Sequence, residues 1–133
     1  MSFLDTSFVI DLLREEKRRT HGSAHRKLEQ LDDAPIRLSV FVVCELEAGV
    51  ALSISTKERE RIQLLCQHCE VVYPDHRFPE TYGKLLAHLQ NQGTPIGTMD
   101  LLIGTHALIC DETLVSRNLK DFMRIPNLRI ESY

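Results

Sequence analysis

The sequence predicts an α/β fold: a single domain over 1–133 with a mostly parallel central sheet of about five strands, flanked by helices on both faces. Short apolar runs alternate with helical patterns from end to end, as expected for parallel strands joined by helical crossovers. Acids stand just past several of these runs, at the sheet edge where open α/β folds bind ligands. A chain of 133 residues is long enough for one core and too short for two, and no repeat, linker or low-complexity tract divides it.

The elements follow in order. Ser2-Phe3-Leu4-Asp5 is a short apolar run ending in a carboxylate, read as a strand over 2–5, and helical patterns follow over 7–14 and 22–32. A strand over 36–39 leads into a helix over 40–54, with Ser39 placed as its N-cap. The next helix, 57–69, carries Ile62, Leu65, Cys66 and Cys69 on its apolar pattern and precedes a strand over 70–73. Tyr82, Leu85, Leu86 and Leu89 recur at helical spacing in a helix over 78–91, which Gly93 and Pro95 stop. Thr98 stands as N-cap of a helix over 99–110 that is apolar almost all round from Leu101 to Leu108 and should be buried. A strand over 113–116, a short helical turn over 118–123 and a strand over 127–131 complete the chain.

Composition narrows the function classes. Hydrophobic content of 43% and charged content of 26% fit a soluble globular protein, and no apolar run approaches the ~18 residues of a membrane span. With no basic segment leading an apolar core at the N-terminus, the expected location is the cytoplasm. The net charge of −3 argues mildly against bulk electrostatic binding of nucleic acid. Arg14, Lys17, Arg18, Arg19, Arg26 and Lys27 nevertheless concentrate in one region, either as a solvated helix end and loop or as a track for a phosphate backbone. The four cysteines suit a reducing compartment as small buried apolar residues. Cys66 and Cys69 have C-x-x-C spacing, but the pair closes a helix rather than opening one and lacks a second ligand pair, so it is read as structural.

The acids carry the chemistry. Asp5 ends the first strand, Glu45 lies inside the apolar stretch Val40 to Leu46, Asp100 opens a helix, and Asp121 lies just past the strand near Val115. An acid at a helix start is often ordinary dipole chemistry, and for Asp100 alone that reading and a functional one stand equally open. Glu45 is harder to explain that way, because a charge in an apolar segment is costly without a partner. Phe41, Glu45 and Gly49 share one helical face, which Gly49 leaves open. If the strands are adjacent the four carboxylates converge and repel, raising their pKa values unless cations sit among them. All-oxygen ligation points to Mg²⁺ or Mn²⁺.

Ser2-Phe3-Leu4-Asp5-Thr6-Ser7, Ser39 through Glu45-Leu46 to Gly49, Pro95-Ile96 through Asp100-Leu101-Leu102-Ile103 to His106-Ala107, and Ser116-Arg117-Asn118 to Asp121-Phe122 occur in this order along the chain. Together they resemble the PIN domain and, within it, the VapC-type toxins of bacterial toxin–antitoxin pairs. The resemblance implies a metal-dependent endoribonuclease whose acidic residues are Asp5, Glu45, Asp100 and Asp121, with Thr6, Ser116 and Asn118 as supporting polar residues. It also implies an RNA substrate, a tRNA or other structured RNA cut at single-stranded loops, a cognate antitoxin that lays an arginine over the acids, and a homodimer. Arg14, Lys17, Arg18 and Arg19 are the expected RNA contacts. Where many relatives have Thr, this chain has Val42; Gly104-Thr105 stands for a common pair of alanines and Ser116 for a common Thr, and the last two changes look conservative. His106 matches the pattern but shares an apolar face with Met99 and Ile103, so it is read as structural.

In the expected mechanism Asp5 bridges two cations, Asp100 and Glu45 complete one site, Asp121 helps the second, and activated water attacks the phosphodiester in line. Two rival classes bring acids to a parallel-sheet edge. A receiver-type signalling domain would need an acid beside Asp5 and a Lys after a later strand, and a haloacid-dehalogenase-like phosphatase a second Asp where Ser7 stands. A PIN-like binding module without catalysis would usually have lost one of the acids.

Overall fold

The computed structural model describes residues 2–31 and 35–133. The elements are β1 (Ser2–Leu4), α1 (Thr6–Arg18), α2 (Ser23–Gln30), β2 (Ile36–Ser39), α3 (Val40–Leu52), α4 (Thr56–His68), β3 (Glu70–Val72), α5 (Phe78–Asn91), α6 (Thr98–Ile109), β4 (Thr113–Val115), α7 (Leu119–Phe122) and β5 (Ile130–Glu131). The five strands form one sheet in the order β3-β2-β1-β4-β5, and every pairing is parallel. The predicted α/β class therefore holds, with strand order reversing direction between β1 and β4. That is the switch point where such sheets leave a crevice at the carboxyl ends of the strands.

Register places the ends. Leu4 lies beside Val115, the Asp5 amide extends the ladder to the Val115 carbonyl at 2.9 Å, and the Ser116 amide reaches the Glu131 carbonyl at 3.0 Å. Asp5 and Ser116 thus leave neighbouring strands on one edge. The core lies on both sides of this sheet. Phe3, Leu4, Leu38, Leu114 and Val115 come from the strands, and Phe8, Val9, Val42, Leu46, Leu89, Leu101, Ile103 and Ala107 come from the helices.

Several boundaries differ from the sequence reading. The first helix runs to Arg18 rather than ending near residue 14, because its charged residues form a solvated face. Lys17 and Arg18 in its last turn favour the helix dipole, and Arg19 closes it at φ 54° with its amide on the Glu15 and Glu16 carbonyls. Glu15 is not a loop charge. Its carboxylate accepts from the amides of Gly22, Ala24 and His25 at 2.8, 3.0 and 3.1 Å and from His25 Nδ1 at 2.8 Å, clamping the start of α2. Burial opposes ionisation there, but these hydrogen bonds outweigh it and hold the carboxyl down to about 2.

The second helix was expected over 22–32; residue 32 lies outside the described residues, and α2 spans Ser23–Gln30. Ser39 is the N-cap of α3 as expected, its Oγ accepting from the Phe41 amide at 3.2 Å. That helix stops at Leu52, where Ser53 is extended, short of the predicted 54. Gly97 rather than Thr98 occupies the N-cap position of α6, so Thr98 is already helical. The last strand pairs only over Ile130–Glu131, since Asn127 turns the chain at φ 66°. Two further expectations are corrected. Cys44 is exposed, unlike the partly buried Cys66, Cys69 and Cys110. Gly104 is no neutral stand-in for alanine: a Cβ there would run into Ile125 Cδ1, because the segment after α7 presses directly on α6.

Candidate active site

Asp5 forms the floor of the site. It holds the N-cap position of α1, yet its side chain makes no capping bond and turns into the sheet edge instead. Only 3% of it is exposed. Oδ2 accepts from Ser116 Oγ at 2.7 Å and Ser7 Oγ at 2.9 Å, while Oδ1 is buried with no hydrogen-bond partner among the described residues. A buried carboxylate with one orphaned oxygen is costly, and a cation is the natural way to relieve it.

Glu45 reaches the same edge from the second turn of α3, and Thr6 Oγ1 donates to its Oε1 at 2.7 Å. Opposite stand Asp100, in the first turn of α6, and Asp121, in α7. Asn118 Nδ2 bridges them, donating to Asp100 Oδ2 and Asp121 Oδ2 at 3.1 Å each. The electrostatics link all four acids. Burial first, then the charges of Asp5, Glu45 and Asp121, push the Asp100 carboxyl up to about 6, while the Asn118 bond pulls the other way.

Among the described residues, no three of the acids stand close enough to form a cation cage unaided. The donor set is nonetheless all oxygen, as hard divalent cations prefer, and its least satisfied atom, Asp5 Oδ1, belongs to its most buried member. Asp121 has a further neighbour, Arg124, with Nη1 3.6 Å from its Oδ1. Of the supporting residues, Thr6, Ser116 and Asn118 each touch an acid.

Ser7, Arg124 and Arg61 were missed in the sequence. Ser7 follows Asp5 by two positions in the first helical turn, a local spacing that could have revealed it. The two arginines carry no such signal.

Arg14, Lys17 and Arg18 line a cleft of about 570 Å³ between α1, α3 and α4, with Glu45 at its wall and Arg61 facing them from α4. Ile10, Leu13, Leu46, Val50 and Ile62 give it an apolar lining, and Gly49 leaves its side open. Arg19 ends α1 outside the residues that line this cleft. His106 is buried in the core, its Nδ1 2.7 Å from Ser39 Oγ, and burial lowers its pKa. Burial raises the Cys66 thiol and, together with Cys66, pushes Cys69 up to about 11, so both stay protonated.

Residues 2–128 match the PIN domain family. The chain is 34% identical to Ribonuclease VapC1 of Haemophilus influenzae over 98% of this chain and 96% of that one. It is 28% identical to the tRNA(fMet)-specific endonuclease VapC of Salmonella typhimurium, again over 98% of this chain and 96% of the relative. In three dimensions it is similar to the crystal structure of VapBC2 from Rickettsia felis bound to a promoter DNA fragment. The TM-score is 0.87 at 30% identity, covering 99% of this chain and 98% of that one. The arrangement of acids and the match along nearly the whole chain agree: the protein belongs to the PIN domain family, and within it to the VapC ribonucleases.

Proposed function

We propose that this protein is a divalent-cation-dependent endoribonuclease, the toxin of a toxin–antitoxin pair. The observation that carries the reading is the orphaned Oδ1 of Asp5 at a sheet edge where Asp100 responds to the charges of Asp5, Glu45 and Asp121. Asp5, Asp100 and Glu45, with Asp121, are the residues that would hold Mg²⁺ or Mn²⁺. Such a cation, when bound, supplies a water acidic enough to attack a phosphodiester and offsets the charge on the leaving oxygen.

The chain's own residues prepare that chemistry. Ser7 and Ser116 fix the plane of the Asp5 carboxylate by holding Oδ2. Thr6 aims Glu45, and Asn118 keeps Asp100 and Asp121 at one spacing. Arg14, Lys17, Arg18 and Arg61 face the cleft that ends at Glu45, and their charge draws a phosphate backbone toward the acids. Single-stranded loops fit this cleft better than duplex, because unstacked bases can lie on its apolar lining. The relative named for tRNA(fMet) supports a tRNA as substrate.

The VapBC complex among the similar structures supports a cognate antitoxin. An arginine from it would suit the carboxylates through paired hydrogen bonds and would exclude the cation. A homodimer in the cytoplasm completes the reading.

The test is incubation of purified protein with total cellular RNA, with and without Mg²⁺ or Mn²⁺, followed by analysis of the ends. Attack by water leaves 5′-phosphate and 3′-hydroxyl. Ends carrying 2′,3′-cyclic phosphate, or full cleavage in excess chelator, would overturn the proposal.

A further inference from the structure

Resting on the nuclease reading, a second role emerges in the core behind the acids. The strand β2 passes into α3 with no intervening loop, so Ser39 is at once the last strand residue and the helix N-cap. Its Oγ accepts from the Phe41 amide at 3.2 Å and lies 2.7 Å from His106 Nδ1. With Nδ1 accepting from the Ser39 hydroxyl, the imidazole proton sits on Nε2, which has no hydrogen-bond partner among the described residues. Ser39 is fully buried and His106 is 1% exposed. The rings of Phe3, Phe41 and Phe78 surround the imidazole, centroids 5.3 to 6.0 Å away, each within 15° of perpendicular to it.

The consequence lies in what the two ends of this bond carry. Six residues beyond Ser39, α3 presents Glu45; six residues before His106, α6 presents Asp100. Among the described residues, Ser39–His106 is the hydrogen bond that ties the start of α3 to α6. The hydrogen bonds at the acids join them instead to α1 or to the loop after β4. Rotation of α3 against α6 would change the Glu45–Asp100 separation directly, and a buried hydrogen bond in a cage of rings resists it.

We propose that His106 is a positioning residue for the acidic site: through Ser39 it sets the angle between α3 and α6 and thereby the separation of Glu45 and Asp100. The hydrogen bond here resembles the outer contacts that orient ligands in metal sites, whose loss typically weakens metal binding about 10–100-fold.

The test compares His106→Phe, which keeps a ring and removes the acceptor, with His106→Asn, whose amide oxygen can replace Nδ1. Mn²⁺ alone is titrated by calorimetry, and RNA cleavage is resolved into kcat and KM, with circular dichroism as the check on folding. The expected result is a folded His106→Phe protein that binds Mn²⁺ about tenfold more weakly and has a kcat lowered to a similar extent at unchanged KM. His106→Asn should recover most of both. A folded His106→Phe protein with wild-type Mn²⁺ affinity and kcat would overturn the proposal, as would a loss that His106→Asn fails to restore.

A third readout needs neither cation nor RNA. In chelator, Asp100→Asn should raise Tm less in the His106→Phe background than in the wild type, because loosened helices already let the acids move apart. Additive Tm changes would count against positioning. If the wild type neither binds Mn²⁺ nor cuts RNA, the nuclease reading fails and this cycle alone decides the role of His106.

Discussion

Removing the charge at Asp100 should make the cation-free protein more stable while abolishing its activity. The carboxyl is pushed from an ordinary 3.8 to about 6 by burial and by Asp5, Glu45 and Asp121. Its folded form therefore keeps a proton that the unfolded chain releases, and stability falls as pH rises from about 4 to about 6. At about 1.4 kcal/mol per unit the full cost above pH 6 would be about 3 kcal/mol, and solvent screening at this half-buried position reduces it to about 1 kcal/mol. Asn at this position cannot ionise, yet its amide oxygen can still accept from Asn118 Nδ2. Urea and thermal unfolding of wild type and Asp100→Asn in excess chelator should thus differ by about 1 kcal/mol, or about 3–5 °C, at pH 7.5. The difference should vanish below pH 4. A gain of equal size at both pH values, or a loss at pH 7.5, would refute the claim that four carboxylates repel at this site. Nuclease activity with Mn²⁺ present should fall at least a hundredfold in the same variant.

Other perturbations test the parts around the site. Glu15→Gln removes the charge that clamps α2, and should cost about 1–2 kcal/mol at pH 7. Because the folded carboxyl is held down to about 2, that stabilisation is complete above about pH 4.5 and is lost as pH falls toward 2, so the two proteins should converge in acid unfolding. Gly104→Ala should destabilise by about 1–3 kcal/mol through the contact with Ile125 Cδ1, and adding Ile125→Val, which deletes that atom, should restore most of it; no rescue in thermal unfolding would mean the strain lies elsewhere. Cys66→Ser with Cys69→Ser should leave RNA cleavage within a few-fold, and a large loss in a folded protein would show that the pair does chemistry.

What the sequence revealed and what it hid divide along a physical line. The places of Asp5, Asp100 and Asp121 at the sheet edge were legible because each stands next to a strand end or in the first turn of a helix, and Glu45 stood out as a charge inside an apolar stretch. The end of α1 was not legible. Charged residues from Arg14 to Arg19 look the same in a loop as on a solvated helix face, and Glu15 becomes a clamp only once α2 folds back onto it. Arg61 was invisible for a similar reason, since its place across the cleft from Arg14 depends on how α4 packs. Gly104 looked interchangeable with alanine because nothing local foretells that Ile125, twenty-one residues on, lands on its missing Cβ.

The tethers themselves explain why the site stays poised for a cation. Each acid has one oxygen held by a neutral donor: Asp5 Oδ2 by the two serines, Glu45 Oε1 by Thr6, and Oδ2 of both Asp100 and Asp121 by Asn118. Hydroxyl and amide donors fix a carboxylate in place without cancelling its charge, so the negative potential survives. A lysine or arginine in the same role would have satisfied the oxygens and removed the reason to bind a metal. Arg124, which pairs with Asp121, bears on this directly. It stands 3.6 Å from the outermost acid, Asp121, and spends a hydrogen bond on the Pro95 carbonyl at 2.9 Å. Among the described residues, Oδ1 of Asp5, the most buried of the four acids, has no hydrogen-bond partner. The chain thus concentrates its unsatisfied charge where solvent can least relieve it, which is the arrangement in which a divalent cation gains most by binding.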